Sequence, residues 1–367
     1  MLDAQSLSSA ASASGIGSYT RHLVGELAAR DDVDLLALCD RQVPLPQGVD
    51  RIGMRRLAHR ARAEVIEHAI RLPLELRRAR PAGAVFHNPA FHAPAGVPGP
   101  WVQTLHDVVP LVFEAPDQKV LRARWKRFGP RYRRADAVIA IALHAADEGV
   151  RLLGLDPSRV HVAWHGIDPS FRPGVGVGGV GGVGGLSGPP YLLVVSEFSA
   201  RKGFAEAFAV MDALVDAGYP HRLVVAGRVH SLVRAQLTAL HAAARHPERI
   251  ELSDFVPDLI SLYQGASAFL MSSRYEGFGF PALEAMACGV PVVAFANSAV
   301  TEVVSGGGCL VEDGDVEAMT AAVRQVLDSP ALAEEWRQRG LAHAATFTWA
   351  RSAAIHAEVY RSVAGAA

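Results

Sequence analysis

Three cysteines in 367 residues are too few and too scattered for a disulfide framework. Cys39, Cys288 and Cys309 have no metal-ligand spacing and lie in largely apolar stretches, so they read as buried free thiols of a reducing compartment. Net charge is equally scarce: 36 Lys and Arg against 37 Asp and Glu leave −1, with a pI near 7.0. Such a balance does not gather nucleic acid. Long apolar runs are missing as well. No charged lead and apolar core open the chain, and no window nears ~20 uninterrupted apolar residues, so neither a signal peptide nor a transmembrane helix is read. The expected location is the cytoplasm. His22, His68, His92, His144 and His221 show no ligand spacing among themselves, so no metal site is expected from them.

What is present is hydrophobic residue, half of the total, in a chain longer than a single core usually supports. Two domains are the default. The charge divides unevenly between them: residues 1–172 carry 23 Lys and Arg against 18 Asp and Glu, and residues 173–367 carry 13 against 19. Nine arginines crowd between Arg51 and Arg80. That cluster leaves room for weak contact with a phosphate-bearing acceptor or the inner face of a membrane, although a solvated basic face is the commoner explanation.

Short β-branched runs alternate with helical patterns, the signature of βαβ units around a parallel sheet. The first half offers strands over Leu35–Cys39, Ala84–His87, Trp101–Leu105, Ala137–Ala142 and Val160–Trp164. Helices over Ser18–Ala29 and His144–Leu153 separate some of them. The second half offers Tyr191–Val195, Arg222–Ala226, Ile250–Leu252, Ala268–Met271 and Pro291–Phe295. The fold class is therefore α/β, with two doubly wound domains. Between them Gly174–Gly188 is nearly all Gly and Val, a composition with little to bury, and reads as a flexible connection. Met1–Ala4 offers too few apolar residues for a full central strand before a Gly15-Ile16-Gly17 loop.

One segment carries chemistry. The apolar run Ala268–Met271 reads as a buried strand, Ser272–Phe280 as a loop containing Gly277, Phe278 and Gly279, and Pro281 as the opening of a helix. Loop and helix amides would face the carboxyl end of a parallel sheet, where anions and nucleotides bind. Glu276 and Glu284 flank that anion site. Carboxylates repel phosphate, so both suit ligand hydroxyls instead, one on a sugar and one on a ribose. Taken singly, Glu284 is more often explained by the helix macrodipole, Lys202 by solvation and His106-Asp107 by local hydrogen bonds.

The run Glu276–Glu284 resembles the E-x7-E element of glycosyltransferase family 4, the group 1 transferases, and the likeness continues through Ala294. Further resemblances follow in family order: Gly15-Ile16-Gly17-Ser18-Tyr19, His106-Asp107, His165-Gly166-Ile167-Asp168, Ser196 to Gly203, Ala226-Gly227-Arg228 and Phe347-Thr348-Trp349 with Tyr360. The resemblance implies a GT-B fold: two Rossmann-like domains facing across a cleft, 1–172 for the acceptor and 191–345 for a nucleotide sugar. It also implies a connection over 173–190 and a helix over 346–367 that returns to the first domain. It implies a retaining, metal-independent hexosyltransferase without cofactor. The donor would be GDP-mannose or a UDP-hexose, and the acceptor a glycan, a lipid-linked or a small-molecule hydroxyl.

By motif, Ser196, Arg201, Lys202, Arg228, Glu276, Gly277, Phe278, Gly279, Phe280 and Glu284 would bind the donor, with Lys202 at the diphosphate, Glu276 on the sugar and Glu284 on the ribose. His106 would approach the donor sugar. Gly15, Ile16, Gly17 and Asp107 would lie on the acceptor side. Closure on the donor would hinge near His165–Asp168 and the last helix. Ser196-Glu197 departs from the Gly-Arg or Gly-Thr of many relatives, and Ser272 replaces a frequent Pro. Rival readings are an epimerase or phosphorylase of the same architecture and a catalytically silent nucleotide-sugar binder. The E-x7-E element argues against the first pair, and intact Lys202, Glu276 and Glu284 against the last.

Overall fold

The structure, a computed structural model, describes every residue except 9–14, 54–69, 114–118, 175–187, 229–230, 255 and 367. Most of the Gly/Val-rich connection and four of the nine arginines of the Arg51–Arg80 cluster therefore lie outside the described residues. The chain forms two compact units, Met1–Gly166 with Thr348–Ala367, and Ile167–Phe347.

The first unit holds β1 (Leu2–Asp3), β2 (Leu36–Cys39), β3 (Asp50–Gly53), β4 (Phe86–Asn88), β5 (Trp101–Leu105), β6 (Ala137–Ala140) and β7 (Val160–Val162) in one sheet of order β3-β2-β1-β4-β5-β6-β7. The second holds β8 (Tyr191–Val195), β9 (Arg222–Ala226), β10 (Ile250–Ser253), β11 (Ala268–Met271), β12 (Val292–Phe295) and β13 (Cys309–Val311), in the order β10-β9-β8-β11-β12-β13. Each described strand pair is parallel. Helices cover both faces of such sheets, so the central strands bury every side chain, as Trp101–Leu105 and Ala268–Met271 do. The strand order reverses direction at β1/β4 and at β8/β11, the switch points where open α/β sheets bind ligands.

Three sequence readings change. Gly15-Ile16-Gly17 is not a loop but the first turn of the helix Gly15–Ala28. The buried stripe Tyr19, Leu23 and Leu27 draws this segment into a helix, and packing outweighs the weak helix propensity of two glycines. Met1–Ala4 does contain a central strand: two residues, Leu2 and Asp3, suffice because Leu2 pairs with both Ala37 and His87. The strands β3 and β13 are short and half-exposed at sheet edges: β3 has no apolar run to announce it, and β13 only the three residues Cys309–Val311. Among the thiols, Cys39 and Cys288 are buried but Cys309 is only half-buried.

The last helix, Trp349–Gly365, belongs to the first unit, where Val359 and Val363 join Val102, Ala137 and Ile139 in one apolar cluster. A buried hydrogen-bond chain fastens it. His356 Nδ1 faces the carbonyl of Ser352 at 2.7 Å, and a carbonyl can only accept, so Nδ1 carries the proton and Nε2 accepts from the Tyr19 hydroxyl at 2.8 Å. Thr104 then donates to Tyr19 (3.0 Å), His87 Nε2 donates to Thr104 (2.7 Å), and the Tyr360 hydroxyl donates to His87 Nδ1 (2.6 Å). One donor direction satisfies all five links with neutral rings. Burial, the largest influence on both, pulls the pKa of His87 well below its usual value and that of His356 to about 4.

Candidate functional site

In the second unit the sequence-derived donor residues converge at the carboxyl ends of the adjacent strands β9, β8 and β11. Ser196 follows β8 and its amide donates to Ala226 at the end of β9 (2.9 Å). Arg201 and Lys202 lie on a short 3-10 turn, Ala200–Lys202, closed by Gly203. Gly203 has φ +61°, and a Cβ there would sit 1.9 Å from the Ser272 carbonyl. No side chain fits, so the loop after β8 rests directly on the loop after β11. Arg274 N–H donates to the Arg201 carbonyl (2.8 Å) and Ser272 Oγ to the Lys202 carbonyl (3.1 Å), completing the seam.

That contact delivers two cations to Glu276. Lys202 Nζ donates to Glu276 Oε1 at 2.5 Å, while Arg201 Nη1 reaches Glu276 Oε2 at 3.1 Å and the Tyr275 carbonyl at 2.9 Å. All three side chains are buried or nearly so, at 8 % exposure for Lys202, 9 % for Glu276 and 16 % for Arg201. Burial alone would raise the Glu276 carboxyl, but Lys202 and Arg201 together outweigh it and hold the pKa below its ordinary value. Burial is the largest influence on Lys202 and lowers its ammonium, against the pull of Glu276. Glu276 thus stands ionised between two donors, and the sugar-hydroxyl contact expected of it from the sequence would require it to share its lone pairs with them.

Gly279 caps the helix Phe280–Ala287 at φ +104°, a left-handed conformation that suits glycine, and Pro281 sits in the first turn, where its missing N–H costs nothing. Phe278 is buried against Phe280 and Phe347. One turn along the helix, Glu284 accepts from the Tyr263 hydroxyl at 2.8 Å. Burial pushes its carboxyl up to about 7, the Tyr263 hydrogen bond opposes the rise and the charge of Asp168 adds to it. Arg228, just after β9, is exposed and its side chain makes no hydrogen bond or ion pair with a described residue.

Sequence reasoning missed three residues here. Tyr263, in an apolar helix, carried no signal beyond core packing. Asn297 and Ser298 carried none at all. Ser298 Oγ accepts the Glu276 amide at 2.9 Å and donates to Asn297 Oδ1 at 2.9 Å, while Asn297 Nδ2 holds the Ser273 carbonyl (2.9 Å) and Asp313 (2.7 Å). Ser298 is also the one non-glycine described residue with positive φ, at +40°. Strain of this kind persists where surrounding structure over-determines it, commonly at functional sites.

In the first unit, His106 follows β5 and is buried, its Nε2 donating to the Pro89 carbonyl at 2.6 Å. Burial lowers its pKa to about 4, so the ring is neutral with Nδ1 free of the proton. Tyr19 packs edge-on against it at 5.4 Å. Asp107 accepts the Val109 amide (3.0 Å) and starts the next helical turn, a structural use of this residue. Gly15 is exposed, Ile16 half-buried and Gly17 buried. His106 and the Gly15–Gly17 turn belong to one unit and the donor residues to the other.

Among the described residues no three His, Cys, Asp or Glu side chains gather as a metal site, and no helix is long and apolar enough to cross a membrane. Two Asp-x-Asp triplets do occur: Asp32 pairs with Arg30, Asp313 with Arg274, and Asp315 caps the helix Val316–Asp328.

Two family models match the chain, "Glycosyltransferase Family 4" over residues 13–171 and "Glycosyl transferases group 1" over 184–343. Among curated relatives, D-inositol 3-phosphate glycosyltransferase 1 of Catenulispora acidiphila is 33% identical over 62% of this chain, and the chain spans just over half, 57%, of that protein's length. O-antigen chain mannosyltransferase B of Escherichia coli is 27% identical over 91% of this chain and 92% of its own length. A sucrose-phosphate synthase structure from Thermosynechococcus elongatus superposes with TM-score 0.78 at 21% identity, covering 100% of this chain and 99% of that one.

Proposed function

This chain belongs to glycosyltransferase family 4, the group 1 transferases of GT-B fold, and on that footing we propose that it moves a hexose from a nucleotide diphosphate sugar to an acceptor hydroxyl, with retention and without a metal. The observation that carries the reading is the buried Arg201–Lys202–Glu276 cluster at the β8/β11 switch point. A diphosphate entering there exchanges the Glu276 carboxylate for its own oxygens on Lys202 and Arg201. Amides at Gly277–Phe280 and the exposed guanidinium of Arg228 add positive potential. Released, Glu276 accepts from hydroxyls of the sugar. Glu284, held by Tyr263, accepts from the ribose.

In the reaction the acceptor oxygen bonds to the anomeric carbon as the bond to the diphosphate oxygen breaks, and the acceptor proton passes to the leaving phosphate. Lys202 and Arg201 stabilise the charge that grows on that phosphate, a preorganised effect worth ~10²–10³ in rate for one donor group. They do for the diphosphate what a divalent cation does elsewhere. His106, neutral at pH 7, offers Nδ1 as a hydrogen-bond acceptor and not as a cation. The names of the relatives, an O-antigen chain mannosyltransferase and a D-inositol 3-phosphate glycosyltransferase, favour a hexose donor and a glycan or small-molecule acceptor.

A thermal-shift panel of nucleotides and nucleotide sugars, GDP-mannose and UDP-glucose among them, tests the reading. A donor at 100 times its dissociation constant stabilises by about 2.7 kcal/mol. No response to any nucleotide sugar, with the protein folded, overturns it.

A further inference from the structure

A cavity of about 190 Å³ lies in the first unit between the last helix, Trp349–Gly365, and the amino edge of the sheet. Leu2 opens β1, Leu35 precedes β2 and Val85 precedes β4, whereas His106 follows the carboxyl end of β5. The cavity is therefore at the opposite edge of this sheet from His106 and belongs to no part of the transfer site. Small side chains leave the space open. Residues 357, 360, 361 and 364 share one helical face, where Ala357 and Ala364 flank Tyr360, and Gly83 and Ala84 line another wall. The remaining walls are mainly apolar, from Leu2, Val33, Leu35 and Val85. A dry apolar cavity of ~150 Å³ takes a benzene ring, so this one has room for a single ring with a short chain.

The polar groups decide what that ring must carry. At the inner end the Tyr360 hydroxyl donates to His87 Nδ1 (2.6 Å), and His87 Nε2 donates to Thr104 (2.7 Å). His87 is buried with both nitrogens engaged, so the Tyr360 oxygen is left able only to accept. An occupant meeting it brings a donor. An acceptor there would take the proton from His87 and strip the chain through Thr104 to Tyr19 of its first donor.

At the mouth two exposed carboxylates, Asp32 and Asp34, stand against one guanidinium, Arg361. Arg30 already holds both oxygens of Asp32 at 2.8 Å, with Arg361 3.9 Å away. Asp34 makes no hydrogen bond or ion pair with a described residue. The Met1 amino group donates to the Val85 carbonyl (2.7 Å), and burial lowers its pKa to about 5, so it adds no charge at pH 7. The unmatched charge of the cavity is thus negative and sits on Asp34.

We propose that this cavity binds a small aryl amine, with its ring between the last helix and the sheet edge and its ammonium on Asp34. A hydroxyl on the ring donates to the Tyr360 oxygen. The occupant ties the last helix to β1 and β4. The proposal is independent of the donor site, which lies in the other unit.

The test is calorimetric titration of the full chain with tyramine, with phenethylamine, which lacks the hydroxyl, and with 3-phenylpropionate, which replaces the ammonium by a carboxylate. Expected is saturable tyramine binding with a Kd of ~1 mM or tighter. Phenethylamine should bind about fivefold more weakly, for one hydrogen bond lost, and 3-phenylpropionate should not bind. Asp34→Asn, a surface change that leaves the fold intact, should weaken both amines roughly two- to fivefold. Ala357→Leu should fill the cavity and abolish binding. With tyramine present, hydrogen exchange should slow in Trp349–Gly365 and around β4 and stay unchanged in the second unit. The proposal is overturned by the absence of saturable amine binding up to ~10 mM. Equal affinity for 3-phenylpropionate, undiminished amine binding in Asp34→Asn, or protection confined to the second unit also overturns it.

Discussion

The ammonium of Lys202 lies 2.5 Å from the carboxylate of Glu276, seventy-four residues along the chain, and both groups are buried. Removing one partner of such a pair costs ~3–5 kcal/mol because the other charge stays buried and uncompensated. Lys202→Met and Glu276→Ala are therefore not equivalent. Glu276 retains Arg201 when Lys202 goes, whereas Lys202 keeps only the weaker influence of the Glu197 charge when Glu276 goes. Urea denaturation should show the larger loss in Glu276→Ala. In transfer assays Lys202→Met should lose ~10²–10³ in kcat. Glu276→Ala should lose roughly one to two decades, as expected for hydrogen bonds to a charged group. Wild-type turnover in either variant removes that residue from the site.

Glu284 gives stability a pH dependence of known sign. Its folded pKa, about 7, lies above its ordinary 4.5. The protonated carboxyl is the favoured folded form, so its contribution is complete below pH 4.5 and is lost as pH rises through 7, to a total of ~3 kcal/mol. The difference in unfolding free energy between the wild type and Glu284→Gln should shift by that much from pH 4.5 to 7.5. Ribose binding runs the other way, since the ionised carboxylate is the better acceptor. Nucleotide affinity should rise as pH passes 7. Tyr263→Phe, which removes a bond favouring the charged form, should move that rise to higher pH.

Ser298 separates strain from positioning. Ser298→Gly relieves the φ of +40° but deletes the hydroxyl that accepts the Glu276 amide. Melting temperature should hold or rise, and sugar transfer should fall roughly tenfold, the cost of about one hydrogen bond. Ser298→Thr keeps the hydroxyl but adds a β-branch that φ +40° disfavours, so it should retain transfer at a lower melting temperature. Equal activity in Ser298→Gly would mean that the loop holds Glu276 without it.

Acid should unfold the first unit through its histidines. His87, His106, His165 and His356 are all buried, and burial is the first cause lowering each pKa, to about 4 for His106 and His356. Unfolding restores the ordinary 6.5. These rings therefore stabilise the fold fully above pH 6.5, and the contribution is lost as pH falls from 6.5 through 4. Hydrogen exchange between pH 7 and 4.5 should show protection lost first in β4, β5 and the helix Trp349–Gly365. His356→Phe should flatten that loss, provided the Tyr19 hydroxyl finds another partner. Uniform loss across both units would contradict it.

Much was legible before any fold was known, and the reasons differ by element. Tyr191–Val195 and Ala268–Met271 have the bounds read from their apolar runs, because strands buried on both faces leave no polar positions to blur them; Trp101–Leu105 and Arg222–Ala226 also keep their bounds, although Gln103, Thr104 and Arg222 interrupt the apolar pattern. The edge strands β3 and β13 were silent for the opposite reason. Gly15–Gly17 misled, since a glycine pair signals a loop locally and only the stripe beyond it calls for a helix.

The sequence by itself determined the class of protein: two parallel α/β sheets and an E-x7-E segment with a Lys upstream, all carried by short-range patterns that need no folding to be counted. Tertiary structure alone decided what those residues do to one another. That Glu276 is clamped by Arg201 and Lys202, that burial raises the Glu284 carboxyl to about 7 against the Tyr263 hydrogen bond, and that Ser298 supports the Glu276 amide all depend on segments brought together by strand order. Charge and hydrogen bonding act over a few ångströms in space, and separation along the chain carries no record of them.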